Sequence, residues 1–363
     1  MRTPFDKSET IPYGNYPEKF GIPGPPKYHR PITSKENTMR YFAHKTPYWI
    51  PMLGFAGEVL SFRPRMHPDN VATHQVVDGE APMDYEKLGN PIKGWFDLEW
   101  QFVPQVGGAT VKPGTPMISD MSEWRSIIKI PDLDEMDWEG SARRNKEYLQ
   151  TDIVTEVCCL TGLWERLISL MDVSGAAMAL IDEDQQEGVH SFFSELCDMY
   201  EDMIERYARY FKPDMLLMHD DWGTQRAAFF SLDTCREMLV PYMKRVVDAC
   251  HKNGMLFELH CCGNNETLVP AMIEAGVDLW CGQSMNDFEM LTNLYPDSCL
   301  TFGVTIPSPP EGGSEEEIMK VAEAFVDQYK DKRAVINIVG KTDRRMLLPI
   351  YEASRKYYAQ FDD

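Results

Sequence analysis

The sequence predicts an α/β chain, a (β/α)8 TIM barrel carrying an extended proline-rich N-terminal arm. Three observations lead there. From about residue 153 to residue 339, six short apolar runs alternate with amphipathic stretches of helical length. Connections that long force parallel pairing with right-handed crossovers. Early apolar runs supply the remaining two strands of an eight-stranded barrel. The competing open, doubly wound sheet of a nucleotide-binding protein would need a glycine-rich phosphate turn, and none is present.

The elements follow in order. Residues 1–33 hold Pro4, Pro12, Pro17, Pro23, Pro25, Pro26 and Pro31 with Gly14, Gly21 and Gly24, a density of breakers that no regular element is expected to survive. This arm is expected to lie on the body or on a neighbouring subunit, and a homodimer through it is one expectation. Residues 34–363 are expected to form one barrel. Thr33-Ser34-Lys35-Glu36 reads as a capping box opening a helix to about Lys45. Tyr48–Met52 reads as a first strand. Residues 54–120 show recurrent Gly and Pro, clustered Trp95, Phe96, Trp100 and Phe102, and no long period, which suggests a rim or lid of loops and short strands.

After Leu149 the alternation becomes regular. Strands are expected at Ile153–Cys159, Met215–Met218, Met255–His260, Val277–Trp280, Cys299–Val304 and Ala334–Val339. The intervening helices run from Leu163 to about Tyr210, from Ser231 to Asn253 with a kink at Pro241, from Glu266 to Ala275, from Asp287 onward, from Ser314 to Tyr329 and from Asp343 to Gln360.

Composition narrows the function classes. The chain has 363 residues, 43 % hydrophobic and 26 % charged, a globular balance. Its net charge of −21 repels phosphate backbones and anionic lipid, which argues against nucleic-acid and membrane-surface roles. No apolar run reaches bilayer length, and the first residues lack a signal-peptide core. A cytoplasmic location, with nine reduced cysteines, is therefore expected.

In a parallel barrel, working residues sit at the carboxyl ends of strands. Phe257-Glu258-Leu259-His260-Cys261-Cys262-Gly263 is the strongest such end. Alternation along a strand puts Glu258, His260 and Cys262 on the inward face. A carboxylate, an imidazole and a thiol together suit zinc. The bland alternative is that Cys262 is a small buried residue and His260 a satisfied core histidine. Cys281, at the end of the next strand, is the candidate fourth ligand, whereas Cys158 and Cys159 read as core and Cys299 begins its strand.

The second end, His219-Asp220-Asp221-Trp222-Gly223, offers two acids and a histidine for acid–base work or for orienting an imidazole. One of these acids could equally cap the next helix. Gln283 and Asn286 could bind a cofactor, while Asp287 reads as a helix cap. Gly340-Lys341-Thr342-Asp343-Arg344-Arg345 could bind an anion or simply form surface.

Together, the run His219–Gly223, Pro241, Gly254, Leu259–Asn264, Gly276-Val277-Asp278 and Gly303 resembles the uroporphyrinogen decarboxylase superfamily over roughly residues 30–360. Within it, the chain is similar to the corrinoid-dependent methyltransferase branch. That resemblance implies a zinc-containing barrel moving methyl groups between a corrinoid, carried by a partner protein, and a methoxyaromatic, a methylamine or a thiol. His260 and Cys262 match the branch's metal pair. Its further cysteine near the last strand has no match in Val335–Thr342, which shifts the remaining ligands to Cys281 or Glu258. The implied catalytic residues are Asp221, His219 and Glu258, with Asp220, Gln283 and Asn286 toward the cofactor. The alternatives are a decarboxylase acting on a porphyrinogen-like acid, or a non-catalytic barrel binding a tetrapyrrole or corrinoid. The arginine-rich N-terminal grip of the decarboxylases is not reproduced by Arg40, Arg63 and Arg65.

Overall fold

The computed structural model describes residues 2–13, 26–28, 30–54, 57–105, 108–112, 116–339 and 342–362. Thirteen strands are seen among them: β1 Thr10–Tyr13, β2 Pro26–Tyr28, β3 Met52–Leu53, β4 Val59–Phe62, β5 Ile92–Lys93, β6 Glu99–Val103, β7 Gly108–Val111, β8 Val154–Cys159, β9 Met215–His219, β10 Leu256–Cys261, β11 Leu279–Gly282, β12 Thr301–Val304 and β13 Ala334–Asn337. Eight of them form one sheet in the order β3-β13-β12-β11-β10-β9-β8-β4. Parallel ladders join β8 to β9, β9 to β10, β11 to β12, β12 to β13 and β13 to β3. With helices between successive strands of this sheet from β4 onward, this is the (β/α)8 TIM-barrel fold. The residues fall into two compact units, Met1–Leu60 with Thr151–Val154 and Asp278–Asp363, and Ser61–Gln150 with Thr155–Val277.

In the first unit the arm is more ordered than its proline content suggests. Lys7–Glu9 make a 3-10 turn, and β1 pairs antiparallel with β2. The anchor is electrostatic. Buried Glu9 accepts from Arg355 at 2.7 and 2.9 Å and from the Tyr351 hydroxyl at 2.8 Å, both on the helix Leu347–Tyr358. Arg2 donates to the carbonyls of Thr46 and Pro47. The expected caps are present: Thr33 accepts from Glu36 N at 3.0 Å, and Ser314 and Glu317 form a reciprocal capping box. Gly340 and Lys341 of the possible anion site lie outside the described residues. Nearby, Asp343 takes up Arg345 at 2.7 Å, so that arginine is a surface ion pair.

In the second unit, β4 falls inside the stretch expected to be only rim. The antiparallel sheet β5-β6-β7 supplies the short strands expected there. A buried ion pair ties this insertion to the helix Leu163–Ala179: Arg166 Nη2 lies 2.6 Å from Asp69 Oδ2, and each side chain is 1 % exposed. The other Asp69 oxygen accepts from Trp95 N at 2.8 Å. The helical stretches expected from Leu163 to Tyr210 are two helices, Leu163–Ala179 and Glu183–Tyr210, the second capped by Asp182. The first breaks internally at Asp172 (φ 65°, ψ 170°).

Candidate metal centre and adjoining cavity

The site lies in the second unit, where β8, β9 and β10 run side by side. Register places Glu258 beside Leu217, and His260 beside His219. Phe257, Leu259 and Cys261 alternate with Glu258 and His260 and are fully buried, the apolar face of a half-polar strand. The chain then leaves the sheet through two interlocked loops. Asn264 N donates to Thr224 O at 2.8 Å, and Asn265 Nδ2 donates to Cys262 O at 2.7 Å. Glycine is required where the loops touch. A Cβ on Gly263, whose φ is +95°, would stand 2.4 Å from the carbonyl carbon of Gly223.

That contact brings Asp221 against Cys262. Asp221 Oδ1 accepts from Cys262 N at 2.7 Å. Cys262 Sγ lies 3.5 Å from His260 Nε2. Among the described residues, Asp221, His260 and Cys262 form the one group of three or more such side chains whose donor atoms all lie within 4.8 Å of one another. An oxygen, a nitrogen and a sulfur from half-buried side chains make a donor set compatible with zinc. Burial, then the Asp221 carboxylate, pushes the Cys262 thiol well up, so the thiolate needs a cation beside it.

Around this cluster the expected residues divide. His219 lines the cavity, its ring centroid 4.7 Å from that of His260, and burial, then His260 and Arg63, keep it neutral well below its ordinary range. Asp220, expected to bind a cofactor, instead spends both oxygens on the scaffold. Oδ1 accepts from Glu165 N and Oδ2 from Trp222 Nε1, both at 2.8 Å, and burial raises its pKa to about 7. Glu258 is not among the clustered donors. It sits deeper, sharing a hydrogen bond with Glu156, whose pKa burial raises. Sharing between two carboxyls keeps a proton there.

Cys281 is likewise not among the clustered donors. It belongs to the first unit, where its thiol occupies the space a Cβ on Gly303 would need, 2.5 Å away. Gln283 and Asn286 form a turn in that unit, with Asn286 Nδ2 donating to Gln283 O at 2.8 Å. Asp287 caps the following helix, as the sequence suggests, by accepting from Met290 N at 2.9 Å.

A cavity of about 790 Å3 adjoins the cluster, with His219, Asp221 and Gly223 in its wall. Sequence reasoning missed several other wall residues, including Glu165 and Arg63. Glu165 had a readable signal, since it opens the helix that follows β8, at a strand's carboxyl end. Its Oε1 accepts from Asp221 N at 3.3 Å. Burial, then Asp221 and Asp220, raise its pKa well above the usual carboxyl range.

Residues 159–340, half of the chain, match the family model of uroporphyrinogen decarboxylase (URO-D), and the chain belongs to that family. Among solved structures, a methyltransferase from Methanosarcina mazei shares the fold with a TM-score of 0.53 at 13 % identity, over 90 % of this chain and 99 % of that one. A B12-independent methionine synthase from Shewanella sp. W3-18-1, in complex with selenomethionine, aligns with a TM-score of 0.41 at 9 % identity, over 64 % of this chain and 70 % of that one. No curated protein matches the chain. Among the described residues, no helix is long and apolar enough to cross a membrane.

Proposed function

We propose that this URO-D-family protein is a zinc- and corrinoid-dependent methyltransferase of the cytoplasm. It would move a methyl group between a small methylated compound, such as a methoxyaromatic, a methylamine or a thiol, and a corrinoid carried by a partner protein. The observation that supports this reading best is the Asp221–His260–Cys262 donor cluster beside an open cavity. A decarboxylase gripping a polycarboxylate fits the cavity wall less well: its cations are Arg63 and Lys112, and each has an acid beside it.

Asp221, His260 and Cys262 would hold the zinc. Bound there, zinc is a Lewis acid that lowers the pKa of a thiol or polarises an ether oxygen. The chain's own residues do the positioning. The Cys262 amide fixes one Asp221 oxygen, leaving the other for the metal. His219 lies against His260, the ring planes tilted by 47°, and limits how its ring can turn. Glu165 takes the Asp221 amide and presents its second oxygen to the substrate. Trp100, Ile168 and Phe229 supply apolar walls that exclude water from the transferring methyl group.

Elemental analysis tests the reading. Freshly purified wild type should carry about one zinc per chain. Cys262→Ser should lose most of it, because serine is a far poorer ligand at neutral pH than a metal-bound thiolate. Folded wild type that takes up no zinc would contradict the proposal.

A further inference from the structure

Part of the cavity wall comes from one helix. Glu165, Ile168 and Ser169 lie on one face of the helix Leu163–Ala179, three and four residues apart, and Asp172 and Val173, at the break in that helix, also line the space. Asp172 is the unusual member. Its backbone sits at φ 65°, ψ 170°, a region that non-glycine residues occupy only when the surroundings hold them there. Its Oδ1 caps the resumed helix by accepting from Gly175 N at 2.8 Å. Among the described residues no ion pair neutralises it. No Lys or Arg occurs between Arg166 and Arg206, so local sequence offers no counter-charge.

The cavity's cations are differently placed. Lys112 Nζ is 3.1 Å from Glu99 Oε2. Arg63 donates to Gln75 at 2.7 Å and acts electrostatically on buried Glu156. Their charge is already met by acids of the same unit. With Asp221 given to the metal, the Asp172 carboxylate is the standing charge that a ligand meets away from the reacting end, next to Val173, with Trp100 and Phe229 also lining the cavity. An anionic helix face with aromatic and apolar neighbours recognises an organic cation.

From this wall we infer that the small-molecule substrate carries a cationic group, an ammonium or another onium, at the end away from the reacting heteroatom. The inference rests on the methyltransferase reading for the reacting end. It rests on the helix face alone for the charged end.

Three thiols of matched length test it: cysteamine, 2-mercaptoethanol and 3-mercaptopropionate, carrying a cation, a neutral group and an anion. Calorimetric titration into zinc-loaded wild type at low salt should rank them in that order, with about a threefold step at each change, as expected for one partly exposed charge. Asp172→Asn keeps the cap, since an amide oxygen also accepts from Gly175 N, and should shrink the full spread to less than threefold. Equal or reversed ranking, or an undiminished spread in Asp172→Asn, would overturn the inference.

A second series separates the two readings. n-Butylammonium, 1-butanol and butyrate contain no sulfur and can be titrated into metal-free protein. A preference for the ammonium, lost in Asp172→Asn, would uphold the cation site even if no zinc were found. No preference in that series would overturn the cation site even if zinc were present.

Discussion

Two adjacent side chains carry much of the pH behaviour expected of this protein. His67 is buried against Trp95, with ring centroids 4.0 Å apart. Burial, with a further push from Arg166 and only partial relief from Asp69, lowers its pKa to about 4. The unfolded chain protonates this histidine near 6.5, whereas the folded chain resists until about 4. Stability is therefore complete above pH 6.5 and falls as pH drops toward 4, by roughly 3 kcal/mol over the window. Asp69 extends the loss. Burial raises its pKa, but Arg166 and His67 outweigh that and hold it below 3.8, so its stabilisation disappears in stronger acid. Urea unfolding at pH 7, 5.5 and 4.5 should show the decline. His67→Gln should flatten it, and an equal slope in that variant would assign the decline to other groups.

At the scale of elements, the Asp69–Arg166 pair fastens the β5-β6-β7 insertion to the helix whose face lines the cavity. Removing one partner of a fully buried pair leaves an uncompensated charge and costs about 3–5 kcal/mol. Asp69→Asn should lower the urea midpoint correspondingly and weaken small-molecule binding in the cavity. A change below about 1 kcal/mol would show that the pair is not what fastens the insertion. This region was also the least legible in the sequence. β4 spans four residues between Gly57 and Pro64, and β5 only two, too short for alternation to register. The later strands were readable because each is an apolar run with a helix of periodic apolar residues after it. The helical stretches read at Leu163–Tyr210 and Ser231–Asn253 are each divided, the second close to the kink expected at Pro241. In the first, the break at Asp172 and the new cap at Asp182 have no strong sequence signal. In the second, a single residue, Leu239, separates helices Leu232–Met238 and Val240–Lys252, just before Pro241.

Across the whole molecule, the inward alternation of β10 already pointed to His260 and Cys262, and the end of β9 to Asp221. What the sequence could not decide was which acid completes the set. Spacing pointed to Glu258 as the acid and to Asp221 only as a catalytic or orienting group, whereas the Gly223–Gly263 contact carries the Asp221 carboxylate to Cys262. Cys281 drew attention as the next strand's cysteine, yet its thiol packs over Gly303. Asp220 and Asp221 are neighbours with opposite fates, because alternation turns one into the scaffold and the other toward the cavity. In the proposed metal centre, one thiolate, one imidazole and one carboxylate hold the zinc. X-ray absorption at the zinc edge, on wild type and on Cys281→Ser, reads that donor set. A single sulfur with nitrogen and oxygen neighbours is expected, at about 2.3 Å and 2.0–2.2 Å, unchanged in Cys281→Ser. Two sulfurs in wild type, one of them lost in Cys281→Ser, would contradict it.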